Sequence, residues 1–265
     1  MSILIKGAGD LATGVAVRLY RAGFDVVMTD LLHPTAVRRT VSFCEAIPDG
    51  EAVVEGIRAR RAEGCAETLS ILAEGVIPVL ADPEARCRES MKPFAVVDAI
   101  LAKRNTGTSI ADAPVVVALG PGFTAGEDCH AVVETMRGHD LGRVLCSGSA
   151  RPNTGVPGEI GGYTVERLLR APADGLFQPL AAIGDTVNAG DVVAEVSGLP
   201  MKAEIAGVLR GLLRVGTPVQ SGMKSGDIDP RCKIEHCFSV SDKARAIGGG
   251  VLEAVLMLGG IIHGN

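Results

Sequence analysis

The chain has 265 residues and a formal net charge of −5 at pH 7, with acidic and basic residues interspersed. This balance argues against a nucleic-acid backbone or an anionic membrane surface as the partner. Aromatic residues make up only 3% and Trp is absent, whereas there are 34 glycines, a composition poor in stacking surfaces and rich in tight turns. No apolar run reaches the roughly 18 residues that a membrane span needs, so we expect a cytoplasmic protein with no membrane partner.

Seven cysteines are dispersed along the chain and form no CxxC pair. An odd, scattered set argues against both a disulfide framework and a structural zinc site. Cys232, His236 and Cys237 lie near one another in sequence, but their spacing matches no standard zinc pattern. The sequence therefore predicts no metal site.

The first 30 residues predict a strand, a glycine-rich turn, a helix and a second strand. The strands are residues 3–5 and the segment DVVMTD, and residues 11–22 between them carry apolar side chains at helical spacing. Further apolar runs of strand length occur at 76–80, 115–119 and 142–146. Strands that alternate with segments of helical length are typical of a doubly wound parallel sheet, so we predict an α/β, Rossmann-like fold.

The pattern changes near residue 171, where short apolar pairs alternate with Gly, Asp and Pro turns. This alternation of short apolar stretches and turns predicts an all-β module similar to the small biotinyl- and lipoyl-type barrel sandwiches. The closing segment SDKARAIGGGVLEAVLML predicts a helix. We therefore divide the chain into a Rossmann-like nucleotide- or cofactor-binding domain (1–170), a β barrel-sandwich domain (171–238) and a C-terminal helix that packs on the first domain (239–265).

The turn KGAGDLATG places Gly7 and Gly9 between the first strand and the first helix, with Gly14 displaced from the third position of the dinucleotide-binding pattern. Such a turn lets a phosphate approach the backbone at a helix amino terminus. Asp10 begins the helix, and Asp30 ends the second strand where a carboxylate would meet a ribose hydroxyl. The alternative is a tight structural turn in which Asp10 only caps the helix.

A similar pattern follows the apolar run VVVAL, where Gly120 and Gly122 precede a segment that we predict to be helical. Two anion-receiving turns on one sheet suit a ligand with more than one phosphate. The alternative is that Pro121 simply shapes a loop.

Basic and polar side chains near these turns are further candidates for cofactor contacts. Paired arginines bind phosphates with bidentate geometry, although most such pairs lie on an exposed helix face. Long irregular loops rich in Gly and Pro are often functional. The candidates are Arg38, Arg39, Arg137, His139, Arg151 and Asn153. Because no nucleophile and base stand at a diagnostic spacing, the sequence identifies no catalytic residue and leaves open whether the protein is an enzyme.

Several segments together closely resemble the YqeB-type accessory proteins of the selenium-dependent molybdenum hydroxylase system. They are KGAGDLATGVAVRLYRAGF, AVRRTVSF, GPGFTAGEDCHAVVETMRGHDLGRV, NTGVPGEIGGYTVERLLRAP, KSGDIDPR and SDKARAIGGGVLEA. The resemblance implies maturation of a molybdenum hydroxylase of the xanthine dehydrogenase class, with a first domain similar to that of cofactor-insertion chaperones. The implied ligand is a molybdopterin dinucleotide or another nucleotide, and the implied partner is the hydroxylase apo-enzyme.

Other functions remain open at this point. The same turn would suit an NAD(P)-dependent oxidoreductase, and the barrel would suit a non-catalytic module that docks on a hydroxylase. A homo-oligomer is also compatible with the sequence. Cys44, Cys129 and Cys146 are candidates to carry sulfur or selenium to the cofactor, with buried structural thiols as the alternative.

Overall fold

The computed structural model describes residues 1–261, which form two compact units. The first unit contains Met1–Pro34, Ser42–Asn153 and the chain from Val240 on. The second unit contains Thr35–Val41 and Thr154–Ser239. Among the described residues, no helix combines the length and the apolar character needed to cross a bilayer.

The first unit is built on a nine-stranded mixed sheet. Its helices are α1 (Asp10–Arg21), α2 (Ala46–Asp49), α3 (Cys65–Ala73), α4 (Arg88–Met91) and α5 (Asp242–Leu258). Its strands are β1 (Ser2–Lys6), β2 (Asp25–Asp30), β3 (Glu51–Val54), β4 (Ile57–Ala62), β5 (Ile77–Ala81), β6 (Ala95–Asp98), β7 (Val115–Leu119), β8 (Thr124–Ala125), β9 (Ala131–Val133), β10 (Val144–Leu145) and β11 (Gly148–Ser149). The strand order is β10-β9-β7-β6-β1-β2-β5-β4-β3, and β8 and β11 form a separate pair.

The strand, turn, helix and strand predicted for the first 30 residues are confirmed as β1, α1 and β2. Strands β1, β2, β6 and β7 lie side by side and parallel at the centre of the sheet. Each is a nearly continuous run of Val, Ile, Leu and Ala that is buried on both faces, which is the composition that parallel strands need.

The predicted doubly wound, Rossmann-like parallel sheet is wrong. Strands β3 and β10 pair antiparallel with their neighbours, so the sheet is mixed. The connection from β7 to β9, predicted to be helical, contains only the short strand β8 and turns. The segment predicted to be helical instead forms β9, in which Val132 and Val133 pair with β7 and β10. Such β-branched residues between glycine turns favour extended backbone.

The second unit consists of two antiparallel sheets of four strands each. Its strands are β12 (Leu168–Arg170), β13 (Gly175–Pro179), β14 (Thr186–Val187), β15 (Val192–Val196), β16 (Leu199–Lys202), β17 (Gly207–Leu212), β18 (Pro218–Val219) and β19 (Lys224–Asp229). The orders are β12-β19-β17-β14 and β16-β15-β13-β18.

The predicted barrel sandwich is therefore also wrong, since these two sheets have free edges within the described chain. The edge strands β16 and β18 carry Pro200 and Pro218. Proline has no N–H group that could be donated to a further strand at these positions.

Helix α5 packs at backbone distance against α1 and against the loop that contains Gly142, through two glycines of the segment AIGGG. A β-carbon at Gly248 would lie 2.8 Å from the carbonyl oxygen of Gly14, and one at Gly14 would lie 2.6 Å from the β-carbon of Ala244. A β-carbon at Gly250 would overlap the carbonyl oxygen of Gly142. The displaced third glycine of the first turn, Gly14, therefore serves helix packing.

Alanine substitutions along this helix should separate packing from helix propensity. We expect Gly248→Ala and Gly250→Ala each to lower the free energy of unfolding by about 1 to 3 kcal/mol, because the added methyl group overpacks the contact. Outside its own helix backbone, no atom of the described residues lies within 4 Å of the β-carbon position of Gly249. The control Gly249→Ala should therefore raise the free energy of unfolding by about 0.5 to 1 kcal/mol, because alanine favours the helix more than glycine does. Urea unfolding of the three variants measures the difference, and equal effects would contradict the packing.

The second unit contains a buried network of charges on β17 and β19. Arg210 donates from Nη2 to Asp227 Oδ2 at 2.6 Å, and Arg167 donates to the other oxygen of that carboxylate at 2.7 Å. Arg231 donates from Nη2 to Asp229 Oδ2 at 2.6 Å. Burial opposes ionisation of Asp229, but the hydrogen bonds from Arg231 and the charge of Arg210 outweigh it and hold its pKa at about 2. The DIDPR segment is thus a structural element of this unit.

The lowered pKa of Asp229 makes stability depend on pH in acid. A carboxylate with a lowered pKa contributes fully above its unfolded-state pKa of about 4, and the contribution is lost as the pH falls towards 2. We expect Asp229→Asn to be less stable than the unmodified protein by about 3 kcal/mol at pH 7, because arginines lose a buried partner. Urea midpoints should show this gap narrowing between pH 4 and pH 2, and a constant gap would contradict the ion pairing.

Candidate functional site

The candidate site lies at the carboxyl ends of the central parallel strands of the first unit. In sheets of this kind, ligands bind where loops leave the carboxyl ends of the strands. Strand β1 ends at Lys6, β2 at Asp30 and β6 at Asp98, so one cation and two carboxylates lie at the carboxyl ends of three neighbouring strands. The loop of Gly7, Ala8 and Gly9 leads from this edge into α1.

Gly7 is required by protein packing. Its φ of +94° is a left-handed conformation that favours glycine. A β-carbon here would lie 2.9 Å from the carbonyl oxygen of Ala99, and the Gly7 N–H donates to the Thr29 carbonyl oxygen at 2.8 Å. This glycine therefore lets the turn pack between β2 and the loop after β6.

Gly9 differs, because the space beside it is open. It precedes α1 with φ −68° and ψ −176°, and apart from its chain neighbours no atom of residues 1–261 lies within 4 Å of its β-carbon position. No side-chain hydrogen bond from the described residues caps this helix start. Since the first N–H groups of a helix have no partner within the helix, the amino end of α1 offers donors and a positive dipole end to an anion.

Asp30 turns towards the glycine loop. Its carboxylate accepts the N–H of Ala8 at 2.6 Å and that of Leu31 at 2.7 Å. Burial raises the pKa of Asp30 above its ordinary value, and the hydrogen bonds from Leu31 and Ala8 oppose this shift. Asp30 thus uses one amide of the turn and leaves the α1 start to other acceptors.

Asp10 is partly exposed at the first position of α1. Cys44 is buried beside the turn, and its N–H donates to the Ala8 carbonyl oxygen at 2.9 Å. The Thr13 hydroxyl also donates to that oxygen, at 3.2 Å. Two hydrogen bonds to the Ala8 carbonyl oxygen therefore fix the backbone of the turn.

A buried polar cluster of Lys6, Asp98 and Thr108 lies at the ends of β1 and β6. The Lys6 Nζ donates to Thr108 Oγ1 at 2.5 Å, and that hydroxyl donates to Asp98 Oδ2 at 2.5 Å. The Lys6 ammonium lies 3.8 Å from the same carboxylate oxygen, and both side chains are almost fully buried. A buried pair satisfied in this way fixes the loop between Asp98 and Thr108 on the sheet edge.

The second predicted turn contains both glycines, but no helix follows it. Gly120 and Gly122 have φ of +70° and +108°. A β-carbon at Gly120 would lie 2.5 Å from Thr135 Oγ1, and one at Gly122 would lie 2.5 Å from the backbone nitrogen of Arg104. Both glycines therefore pack against protein atoms, and the expected helix dipole at this turn is absent from the described structure.

The candidates after β9 lie in loops of the first unit. Arg137 forms a bidentate ion pair with Asp242, at 2.7 and 2.9 Å. His139 is exposed, and the exposed Arg151 side chain pairs with Asp140. Asn153 is exposed at the end of this loop. Arg137 and Arg151 are thus each paired with a carboxylate. Their role in ligand binding stays a prediction.

Glu134, which the sequence patterns did not single out, organises this loop. Its buried carboxylate accepts the N–H groups of Thr135 and Met136, both at 2.7 Å, and that of Arg151 at 2.9 Å. The loop position of Arg151 is therefore fixed by its backbone.

Arg38 and Arg39 belong to the second unit, in which they donate to backbone carbonyl groups. Arg38 is buried and donates to the carbonyl oxygens of His236 at 2.8 Å and Ser239 at 3.2 Å. Arg39 donates to the carbonyl oxygen of Leu212 at 2.9 Å. These contacts attach the segment 35–41 to the second unit.

A cavity of about 850 Å³ lies at the opposite, amino edge of the sheet, lined by Ser2, Arg88, Lys92, Phe94 and Asp112 among others. Arg88 and Asp112 pair across it at 3.3 Å. Because the cavity is wide open and lies away from the glycine turn, we assign the candidate site to the carboxyl edge. Within the described part of the chain, no group of three His, Cys, Asp or Glu side chains is arranged to hold a metal ion.

The sequence patterns missed Lys6, Asp98 and Thr108. Asp98 follows the short run AVV, whose strand β6 was not predicted. A single carboxylate that ends a run of β-branched residues was the available signal, because side chains at carboxyl ends of neighbouring parallel strands meet. Thr108 carried no such signal, since a long loop brings it to the site.

No protein-family model matches the chain. A solved aspartoacylase family protein from Mesorhizobium loti aligns over 86% of this chain and 84% of its own, with 14% identity and a TM-score of 0.29. A succinylglutamate desuccinylase from Silicibacter sp. TM1040 aligns over 86% and 84%, with 15% identity and a TM-score of 0.26. At such low scores the superpositions carry no inference about fold or activity.

Sequence comparison finds a much nearer relative. The uncharacterized protein YqeB of Escherichia coli K12 is 54% identical over 256 residues, which are 97% of this chain and 47% of YqeB. The chain thus spans about half the length of this relative. Over that span, the resemblance to YqeB-type proteins expected from the sequence motifs is confirmed, and the chain is related to YqeB.

Proposed function

We propose that this chain is an accessory protein in the maturation of a molybdenum hydroxylase and that its first unit binds the nucleotide end of a molybdopterin dinucleotide cofactor. The observation that carries the proposal is the open amino end of α1 at Gly9. A phosphate placed there would accept hydrogen bonds from N–H groups of the first helical turn and interact favourably with the helix dipole.

The neighbouring side chains suit the rest of such a ligand. Asp30 ends the strand beside the turn, where a carboxylate oxygen can accept a hydrogen bond from a ribose hydroxyl. Lys6 is engaged in the buried pair with Asp98 and supports this edge from within. Neither group is a nucleophile placed beside a base, so the chain's residues bind and orient a ligand in this proposal and catalyse no step.

The hydroxylase partner rests on the resemblance of the sequence motifs to YqeB-type accessory proteins. In such a role, the protein would hold the cofactor and present it to a hydroxylase apo-enzyme.

A thermal-shift panel tests the ligand. We expect a molybdopterin dinucleotide or cytidine nucleotide, at about 100 times its dissociation constant, to add roughly 2.7 kcal/mol to stability. Gly9→Val should abolish the response without lowering stability, because the side chain projects into open space and blocks the α1 amino end. Gly64 precedes α3 with equally open space, so Gly64→Val is the matched control and should retain the response.

Two outcomes would contradict the proposal. One is a clear response to NAD(P) alone, which would favour an oxidoreductase. The other is a cofactor response that persists in Gly9→Val. If no nucleotide binds but an apo-hydroxylase still co-purifies with the protein, a non-catalytic docking role replaces cofactor binding.

The thiols differ in their capacity to carry sulfur or selenium. Burial, together with the nearby carboxylates of Asp30, Glu45 and Asp10, raises the pKa of Cys44 well above its ordinary value. Burial likewise raises the pKa of Cys129 to about 12. Because the thiolate is the reactive form, neither thiol suits transfer.

Alkylation of the native protein tests this ranking. Cys146 is exposed, whereas Cys44 and Cys129 are buried. At pH 7.5, iodoacetamide should modify Cys146 about a hundredfold faster than Cys44 or Cys129, as measured by peptide mass spectrometry. Equal rates after unfolding provide the control. Rapid modification of Cys44 in the folded protein would exclude the buried-thiol account.

A further inference from the structure

The loop from Ala99 to Thr108, called here the basic loop, lies on the same sheet edge as the glycine turn. It begins against that turn, since the Ala99 N–H donates to the Lys6 carbonyl oxygen at 2.8 Å and the Ala99 carbonyl oxygen contacts Gly7. It ends on the buried cluster, where Thr108 joins Lys6 and Asp98. Both ends of the loop are therefore fixed beside the candidate site.

The middle of the basic loop is also fixed. The Asn105 side chain accepts the N–H of Thr108 at 2.8 Å and donates to Asp128 at 3.1 Å. The backbone of Arg104 lies so close to Gly122 that a β-carbon there would lie 2.6 Å from the Arg104 α-carbon. The second glycine turn thus supports the loop.

The basic loop carries two exposed, positively charged side chains. Lys103 and Arg104 are exposed, and neither side chain forms a hydrogen bond or ion pair with residues 1–261. Leu101 and Lys103 have φ of +60° and +62°, a conformation that non-glycine residues adopt only when their surroundings enforce it. The loop therefore holds an unpaired lysine and arginine in a defined position between the two glycine turns.

An unsatisfied hydroxyl at the same edge is a second, independent observation. Thr29 is 1% exposed, and its Oγ1 has no hydrogen-bond partner in the described chain. Thr29 and Asp98 are the register partners of Lys6 on either side, so the three side chains share one face of the sheet. Buried hydroxyls are normally satisfied, so this edge of the sheet retains an unused hydrogen-bonding group beside Lys6.

We infer that the basic loop is a second anion-binding element, which holds a further phosphoryl group of a ligand whose first phosphoryl group lies at the amino end of α1. Lysine and arginine suit this role because both bind phosphate oxygens with charge-assisted hydrogen bonds. The ligand class is a diphosphate, either a nucleoside diphosphate or the pyrophosphate link of a dinucleotide. This inference rests on the proposed function for the position of the first phosphoryl group.

Calorimetric titration with inorganic pyrophosphate and inorganic phosphate at one ionic strength tests the inference. The unmodified protein should bind pyrophosphate more tightly than phosphate. Lys103→Ala and Arg104→Ala should each weaken pyrophosphate binding by about tenfold or more and change phosphate binding much less. Lys92 is an exposed lysine with φ +46° at the opposite edge of the same unit, so Lys92→Ala is the matched control and should bind normally.

The outcomes separate this inference from the proposed function. If Lys103→Ala and Arg104→Ala bind pyrophosphate as tightly as Lys92→Ala, the basic loop has no binding role, even where nucleotide binding at Gly9 persists. If pyrophosphate binds through the basic loop but a molybdopterin dinucleotide does not bind, the role of the loop is supported and the proposed cofactor is contradicted. Failure of the unmodified protein to bind pyrophosphate contradicts the inference about the basic loop, whereas the thermal-shift panel decides the proposed function separately.

Discussion

The first unit depends on backbone segments that approach one another where no β-carbon fits. Gly7 packs on the loop after β6, Gly14 and Gly248 join α1 to α5, and Gly122 supports the basic loop. These contacts fix the position and direction of α1, and therefore the position of its amino end. Gly9 is the exception in the first turn, because its β-carbon position faces open space.

This difference changes the interpretation of the glycine-rich motifs. A glycine pattern in a sequence predicts close approach but not what approaches. In KGAGDLATG, the neighbour of Gly7 is the protein's own backbone and the neighbour of Gly14 is a helix, so only Gly9 is available to a ligand. The motif is therefore mainly structural, with one functional position. The GPG turn serves the site indirectly by supporting the loop that carries Lys103 and Arg104.

Local patterns predicted the elements that local physics determines. Strand β1, helix α1 and strand β2 followed from apolar periodicity and a turn, and α5 followed from the pattern of the closing segment SDKARAIGGGVLEAVLML. The prediction of a helix after Gly122 was wrong. The pairing of β9 with β7 and β10 is a tertiary effect that a short stretch of sequence does not reveal. Asp98 and Thr108 were missed for a similar reason, since their meeting with Lys6 depends on β6 lying beside β1.

In the proposed function, the amino end of α1 at Gly9 receives an anionic group of the ligand. Amide chemical shifts of the ¹⁵N-labelled protein, recorded during titration with a cytidine nucleotide, locate that group. We expect the largest saturable shifts at the amides of Gly9, Asp10 and Leu11, because a hydrogen bond to phosphate acts on those protons first. Shifts that leave these three amides unchanged and cluster elsewhere would contradict the proposed function.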